Sequence, residues 1–286
     1  MGNFTFKGML LATVFMLLGC LSIQAGDDGL ITKQITVTLD KAGTLQNKIG
    51  SAKKYKITNL KIVGEINGTD WRMIRDMAGR SVHHEETEGK MTELDLSDAS
   101  IVSGGDYYIT CAYFNYPSKI YTSNQTIGDL AFEGCSGLTS LKLPSDIRLI
   151  GRNAFEGCSG LTSITLPSGV TEIGESAFAN CSGLTSIYVY AEKMPKLGTN
   201  MFDGCDAKKC TVYVPKGTYD DYWLSEFGYF ENIVEFDPTG INNVITSNDA
   251  KELSRYSLNG LRLSAPTKGL NIVKYSDGSV KKVAVQ

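Results

Sequence analysis

The sequence has few of the residues that enzyme active sites usually need. It contains two histidines, His83 and His84, and their adjacent spacing is not the H-E-x-x-H pattern that puts two metal ligands on one helical face. No P-loop, G-x-S-x-G elbow or dinucleotide fingerprint occurs, and the seven cysteines include no Cys-x-x-Cys pair. We therefore expect no catalytic residue, no metal and no cofactor, and we interpret "RSVHHEETEGK" as a solvated polar loop.

Excess basic charge and long apolar runs are also missing. The 28 Lys and Arg residues are outnumbered by 31 Asp and Glu residues and form no basic stripe, which argues against a nucleic-acid partner. The longest apolar run, Met9 to Leu21 after Lys7, is too short to span a bilayer and is typical of a secretion signal. It predicts a signal peptide over residues 1–25, cleaved near Ala25. The sequence "LLGC" leaves a second route open, a membrane anchor through lipidation of Cys20.

The most informative feature of the sequence is a nine-residue stretch that is repeated. "FEGCSGLTS" begins at Phe132 and again at Phe155, and the near-copy "FANCSGLTS" begins at Phe178. The full copies start every 23 residues, and a degenerate fourth copy begins at Leu197. Self-similarity at this period predicts an α/β leucine-rich-repeat solenoid over residues 127–236, in which each repeat buries its apolar side against its neighbours.

The residue pattern inside one copy predicts the shape of one coil. In "LTSLKLP", Leu141 and Leu143 point inward while Ser140 and Lys142 point outward, which is the alternation of a short strand. The apolar residues of 150–155 predict a helical turn on the opposite wall. We therefore expect short parallel strands on a concave face and half-helices behind them.

Stacking the copies places one cysteine of each coil in a single column, which contains Cys135, Cys158, Cys181 and Cys205. Side chains in such a column point into the core rather than at each other, so we predict reduced, buried thiols that serve in packing. Whether Cys205 and Cys210 form a disulfide stays open at this point.

The copies resemble the BspA-type leucine-rich repeat of bacterial surface proteins, whose pattern is close to I-G-x-x-A-F-x-x-C-x-x-L-T-S-I-x-L-P. Residues Ile150 to Pro167 match it position by position. The resemblance implies an exported, cell-surface or secreted interaction domain of the Bacteroidetes type, adhesin-like in some members. Its implied partner is an extracellular protein or glycan, from host matrix or a neighbouring cell. The third strand departs from the pattern, since it ends "YVYAEKMP".

The flanking regions differ from the repeats. Residues 26–126 resemble capping coils that carry an aromatic insert, and 237–250 resemble a polar linker. In 251–286, the turn signals Asn259-Gly260 and Asp277-Gly278 predict β-hairpins. This resembles the C-terminal β-modules of many exported Bacteroidetes proteins, so a sorting signal and a plain β-cap are both open.

Two surfaces are candidates for binding. The first is the concave strand face, with outward residues Asp95, Ser140, Lys142, Ser163, Thr165, Ser186, Tyr188 and Tyr213. The second is the insert, with Tyr107, Tyr108, Tyr113, Phe114 and Tyr116, which either anchors a ligand or covers the first coil. We predict non-catalytic binding through the concave face. The alternative is a periplasmic or outer-membrane scaffolding protein without a host ligand.

Overall fold

A computed structural model describes residues 29–111, 118–237, 252–257, 262–266, 268–275 and 280–285. Several predicted features lie outside these residues: the signal peptide, Cys20, most of the linker, both hairpin turns, and Tyr113, Phe114 and Tyr116 of the insert. The strands in chain order are β1 (Ile35–Leu39), β2 (Asn59–Ile66), β3 (Glu93–Ile101), β4 (Gly104–Cys111), β5 (Ser118–Thr122), β6 (Thr126–Ile127), β7 (Ser140–Lys142), β8 (Leu149–Ile150), β9 (Ser163–Leu166), β10 (Glu172–Ile173), β11 (Ser186–Val189), β12 (Lys196–Leu197), β13 (Thr211–Pro215), β14 (Asn232–Phe236), β15 (Glu252–Ser257), β16 (Arg262–Leu263), β17 (Gly269–Tyr275) and β18 (Val280–Val285). The helices are α1 (Leu45–Ile49), α2 (Gly68–Met77) and α3 (Tyr219–Trp223), with a 3₁₀ helix at Glu226–Tyr229.

The strands of successive coils form one parallel sheet of eight strands, in the order β1-β2-β3-β7-β9-β11-β13-β14. The repeat strands β7, β9 and β11 are short because each coil gives only its "LTSI"-like segment to the sheet before Pro or a polar turn follows. The first three strands come from the region before the repeats, so the N-terminal segment extends the same sheet. This arrangement of parallel strands fits a solenoid-like fold.

The wall behind the sheet is built from turns, and the predicted half-helices are absent from the described repeats. It contains a second parallel sheet of two-residue strands, in the order β12-β10-β8-β6. The prediction fails because Asn153 has a left-handed φ of 53°, and because the amide of Phe155 donates to the carbonyl of Ala177 in the next coil, 2.8 Å away. In an α-helix every residue has a negative φ, and each backbone amide donates to a carbonyl four residues earlier in the same helix.

Phenylalanine rings form a ladder between the two walls. Consecutive ring centroids are 5.5 Å apart for Phe132 and Phe155, 5.0 Å for Phe155 and Phe178, and 5.8 Å for Phe178 and Phe202. All four side chains are buried in a continuous core. Because each ring packs on the equivalent ring of the next coil, the repeated phenylalanine explains why the coils stack in register.

The cysteine column lies beside this ladder, and its members are free thiols. The Sγ of Cys158 donates to the carbonyl oxygen of Phe132 at 3.2 Å, and the Sγ of Cys181 donates to that of Phe155 at 3.1 Å. Cys205 repeats the contact with Phe178 at 3.3 Å, and both Cys205 and Cys210 are free thiols here. Burial raises the pKa of the Cys135 thiol to about 11, so the column is protonated and unreactive at neutral pH.

The backbone of the turn wall is hydrogen-bonded from coil to coil. Three amide groups of the first coil donate to three carbonyl oxygens of the second: Leu130 to Arg152, Phe132 to Ala154, and Gly134 to Glu156, at 2.7–2.9 Å. The equivalent carbonyls of the first coil, 23 residues earlier, have no preceding repeat to supply these amides.

Side chains of the N-terminal region supply the missing donors. The Tyr108 hydroxyl donates to the carbonyl of Asp129 at 2.7 Å. The carbonyl of Ala131 accepts from Trp71 Nε1 at 3.1 Å and from the Arg75 guanidinium at 2.9 Å. The Arg75 guanidinium also donates to the carbonyl of Glu133 at 3.5 Å. Trp71 and Arg75 lie on α2, and Tyr108 lies on β4. Buried carbonyl groups need such partners, so α2 and the β4–β5 hairpin cap the repeat stack.

Aromatic packing closes the other end of the repeats. The rings of Phe227 and Phe230 lie 5.3 Å and 4.8 Å from the ring of Phe202, the last member of the ladder. Later in the chain, β15–β18 form a separate antiparallel sheet in the order β16-β15-β17-β18. That this segment is an independent module or a sorting signal remains a prediction.

Candidate ligand-binding surface

The predicted concave-face residues lie in two adjacent columns of the main sheet. In one column Lys142 is paired with Asp95, and Tyr188 is paired with both Thr165 and Tyr213. In the neighbouring column Ser163 lies between Ser140 and Ser186. The parallel register therefore brings together residues from up to five coils.

The upstream end of this surface is an ion pair. Lys142 Nζ lies 2.9 Å from a carboxylate oxygen of Asp95, which is itself buried. Burial alone would raise the pKa of Asp95, but the hydroxyl and amide of Ser97 and the charge of Lys142 outweigh it and hold the pKa below its ordinary value. Asp95 is therefore charged and its two oxygens are already partnered, so Lys142 is the exposed member of the pair.

The downstream end is aromatic. The rings of Tyr188 and Tyr213 are stacked with centroids 4.5 Å apart and planes at 8°. Both are half-buried, and the small side chains of Ser186 and Thr211 lie in the adjacent column. Since one face of Tyr188 contacts Tyr213, its other face is on the side of the exposed Thr165. A rigid aromatic surface beside small hydroxyl groups suits recognition of a protein or glycan.

A cleft of about 990 Å³ adjoins the carboxyl ends of β7, β9 and β11. Its walls are the ends of those strands and the turns that follow them, including Arg148, Pro167, Tyr190 and Met194. The repeat pattern did not predict this cleft. The available signal was the departure "YVYAEKMP" in the third copy, because those residues form one of the walls.

The described part of the insert has both a buried and an exposed side. Tyr108 is buried and used in the cap, which corresponds to the covering role. Tyr107 remains partly exposed, with Arg72 and Lys119 4.9 Å and 4.8 Å from its ring centre. Tyr121 packs edge-on against Tyr107 at 6.4 Å and is 52% exposed.

His84 has a structural role that the sequence did not reveal. Its Nε2 lies 2.6 Å from the carbonyl oxygen of Thr110 and its Nδ1 lies 3.0 Å from a carboxylate oxygen of Glu133. A carbonyl oxygen only accepts, so Nε2 donates to it. His84 thus connects the 81–88 loop to both the hairpin and the first coil, and its ring is not simply solvated.

The described residues contain no group of three or more His, Cys, Asp or Glu side chains placed to hold a metal ion. No helix in the same part of the chain is long and apolar enough to cross a membrane.

Comparison with known proteins identifies the repeat. Residues 107–221 match the family model described as "BspA type Leucine rich repeat region", in six copies. Residues 107–221 of this chain are BspA-type leucine-rich repeats. The match begins in the β4–β5 hairpin, about 20 residues before the copy that starts at Ile127.

A solved structure is also similar. It is the crystal structure of a leucine-rich repeat protein from Bacteroides ovatus ATCC 8483, at 24% sequence identity and a TM-score of 0.34. The alignment covers 65% of this chain and 50% of that one, so this chain spans half of that protein's length. No curated protein matches the chain. Leucine-rich-repeat domains in general mediate protein binding and are non-catalytic.

Proposed function

We propose that this protein is an exported, non-catalytic binding protein that recognises an extracellular protein or glycan through the concave face of its repeats. The observation that carries the proposal is the stacked pair Tyr188 and Tyr213 beside a column of small hydroxyl residues. A stacked aromatic pair next to hydroxyl groups offers apolar contact area and hydrogen bonding on one surface.

The construction of the sheet supports this role. The concave residues stand on strands whose opposite side is the buried core, so their backbone positions are set before a partner arrives. A preformed surface loses little conformational entropy on binding, which leaves more of the contact energy for affinity. The proposal therefore needs no ordering step.

The proposed location outside the cytoplasm has two supports. Residues 1–25 have the charge and apolar pattern of a secretion signal, and proteins with BspA-type repeats are typically surface-exposed or secreted. We favour cleavage near Ala25 over lipidation of Cys20 because "SIQA" is a good cleavage sequence.

A binding screen with the unmodified chain and two double variants tests the proposal. The exported chain is screened against extracellular proteins and a glycan array, and each hit is re-measured with Tyr188→Ala/Tyr213→Ala and with Tyr107→Ala/Tyr121→Ala. We expect the first pair to lower affinity about tenfold or more and the second to leave it unchanged. If only Tyr107→Ala/Tyr121→Ala lowered the affinity, the binding site would lie on the β4–β5 hairpin. If neither an extracellular protein nor a glycan bound, the result would favour the scaffolding role.

A further inference from the structure

We propose that the cleft at the carboxyl ends of β7, β9 and β11 binds an extended acidic peptide segment, with an apolar side chain of the peptide next to a carboxylate. This site deepens the proposed function and rests on it, because it assigns a partner class to a surface next to the concave columns. Three observations carry it: the repeat pattern, the charges and the apolar floor.

The repeat pattern breaks at the wall of the cleft. The position held by Pro144 and Pro167 in the first two copies is Tyr190 in the third, and the turn that follows it is one residue longer. That turn contributes Glu192, Lys193 and Met194 to the cleft. Packing explains the recurring residues and part of Met194, which contacts the core, whereas Glu192 and Lys193 are exposed at the cleft.

Two cations of the cleft have no carboxylate partner within the described residues, although the Arg148 guanidinium donates to the carbonyl of Gly169 at 3.5 Å. Among the described residues, neither Arg148 nor Lys193 has a carboxylate within 4 Å, although both line the cleft. Lys142 also lines it but is neutralised by Asp95. The opposing charge is Glu192, which leaves the cleft with a net positive charge and an electrostatic preference for carboxylates.

The floor between these charges is apolar. Leu143 and Val170 lie at its base and are buried, while Pro167, Tyr190 and Met194 are half-buried and accessible from the cleft. The ring of Tyr190 is held edge-on against Phe236 with centroids 5.2 Å apart. Apolar side chains of a ligand can therefore be covered while its carboxylates reach Arg148 and Lys193.

A peptide fits these groups better than an acidic sugar. Sugar recognition relies on carboxylate or amide groups and on aromatic faces, but the lining has a single carboxylate, no side-chain amide and a single aromatic ring beside four Ser and Thr hydroxyls. Aliphatic, proline and methionine surface in the same cleft favours peptide side chains instead. An acidic oligosaccharide is therefore a competing result in the test rather than part of the proposal.

The test selects peptides without assuming a sequence. A displayed library of random peptides is panned against the full exported chain, and enriched peptides are measured by fluorescence anisotropy with purified variants. The cleft variant is Arg148→Glu/Lys193→Glu. Its matched control is Lys208→Glu/Lys209→Glu, which reverses the charge of two exposed lysines outside the cleft.

We expect the enriched peptides to carry Asp or Glu beside apolar residues. The cleft variant should lower their affinity about tenfold or more, the control should keep it within about twofold, and Glu192→Lys should raise it. Because all five positions are exposed, circular dichroism should show every variant folded. A gain with Glu192→Lys cannot arise from a folding defect.

Several outcomes would overturn the site. These are the absence of enriched acidic peptides, equal affinities of the cleft and control variants, or cleft-dependent binding of an oligoglucuronate probe without binding of acidic peptides. Peptides that lose affinity only with Tyr188→Ala/Tyr213→Ala would overturn the cleft while leaving the proposed concave-face function intact. Failure of the proposed function is distinct, since it appears as the absence of hits in the extracellular protein and glycan screen.

Discussion

The hydroxyl of Tyr108 donates a hydrogen bond to the backbone carbonyl of Asp129, 2.7 Å away, at the first edge of the turn wall. In the next coil the equivalent carbonyl, that of Arg152, accepts from a backbone amide of the preceding repeat. A side chain thus takes the place of a missing coil. Three side chains, those of Tyr108, Trp71 and Arg75, do this along the edge.

Removing the Tyr108 hydroxyl should therefore weaken the cap. We expect Tyr108→Phe to lower the free energy of unfolding by about 1–3 kcal/mol, because the ring stays packed while the Asp129 carbonyl loses its partner. Urea denaturation of both proteins measures the difference. The matched control is Tyr121→Phe on the same hairpin, an exposed tyrosine whose hydroxyl makes no hydrogen bond within the described residues. Equal effects of the two changes would contradict the capping role.

The thiol column should contribute to stability through packing. We expect Cys158→Ala to cost about 1–3 kcal/mol, since it leaves a small cavity and removes the donor to the Phe132 carbonyl. Ser159→Ala, one residue away with an exposed side chain, should change stability by less than about 0.5 kcal/mol. Reduced and unreduced samples should give the same value, and a loss of stability on adding a reductant would indicate a disulfide in place of free thiols.

Stability should fall at alkaline pH. Burial raises the pKa of Cys135 from 9.0 to about 11 and raises that of Cys158 as well. The unfolded chain therefore releases thiol protons first as pH rises, so the stabilisation is present below pH 9 and is lost between 9 and about 11. Each thiol contributes a slope of about 1.4 kcal/mol per pH unit while only the unfolded form ionises.

The slope can be measured by urea denaturation in reducing buffer from about pH 8 to about pH 11, with Cys135→Ala/Cys158→Ala as the comparison. Burial also raises the pKa values of three other thiols, Cys181, Cys205 and Cys210, and of two tyrosines, Tyr108 and Tyr222, so part of the decline should persist in the variant. The variant should show a shallower decline than the parent between pH 9 and 10. Identical slopes would contradict the buried, protonated column.

The phenylalanine ladder should couple neighbouring coils. We expect Phe155→Ala to cost about 3–5 kcal/mol and Phe155→Leu clearly less, because Phe155 stacks on both Phe132 and Phe178. If each coil contacts only its nearest neighbours, the effect of Phe155→Ala should be local. In that variant, the amides of 130–134 and 176–180 should lose hydrogen-exchange protection before those of the α2 cap. Uniform loss over the whole chain would mean that the repeats unfold as a single unit instead.

The repeat could be predicted from sequence because the same local residue pattern occurs in several consecutive copies. Leu141, Ile164 and Ile187 recur at strand positions, and the parallel register follows from their equivalence. The turn wall was mistaken for half-helices because the apolar spacing between Ile150 and Phe155 also suits a helix. Asn153 and Asn200 were the signal for turns, since asparagine tolerates the left-handed region better than most residues.

The cap and the cleft depend on contacts that sequence spacing does not show. Trp71 and Ala131 are 60 residues apart, and Arg75 and Leu130 are 55 apart, so their hydrogen bonds need the folded stack. The columns of concave residues were predictable as outward positions. That Asp95 is buried against Lys142 while Tyr188 stacks on Tyr213 was not predictable, because side-chain partners across a parallel sheet depend on the register of whole coils.

The most direct test of the concave-face function is site-specific photo-crosslinking on intact cells that export the protein. A benzophenone amino acid is placed at Tyr188, and, in a matched protein, at Arg152, which is exposed on the turn wall. We expect a discrete crosslinked product from position 188 with an extracellular protein or glycan, and none from position 152. Equal products from both positions, or a product only with an envelope protein that external protease cannot reach, would contradict binding through the concave face and favour a scaffold.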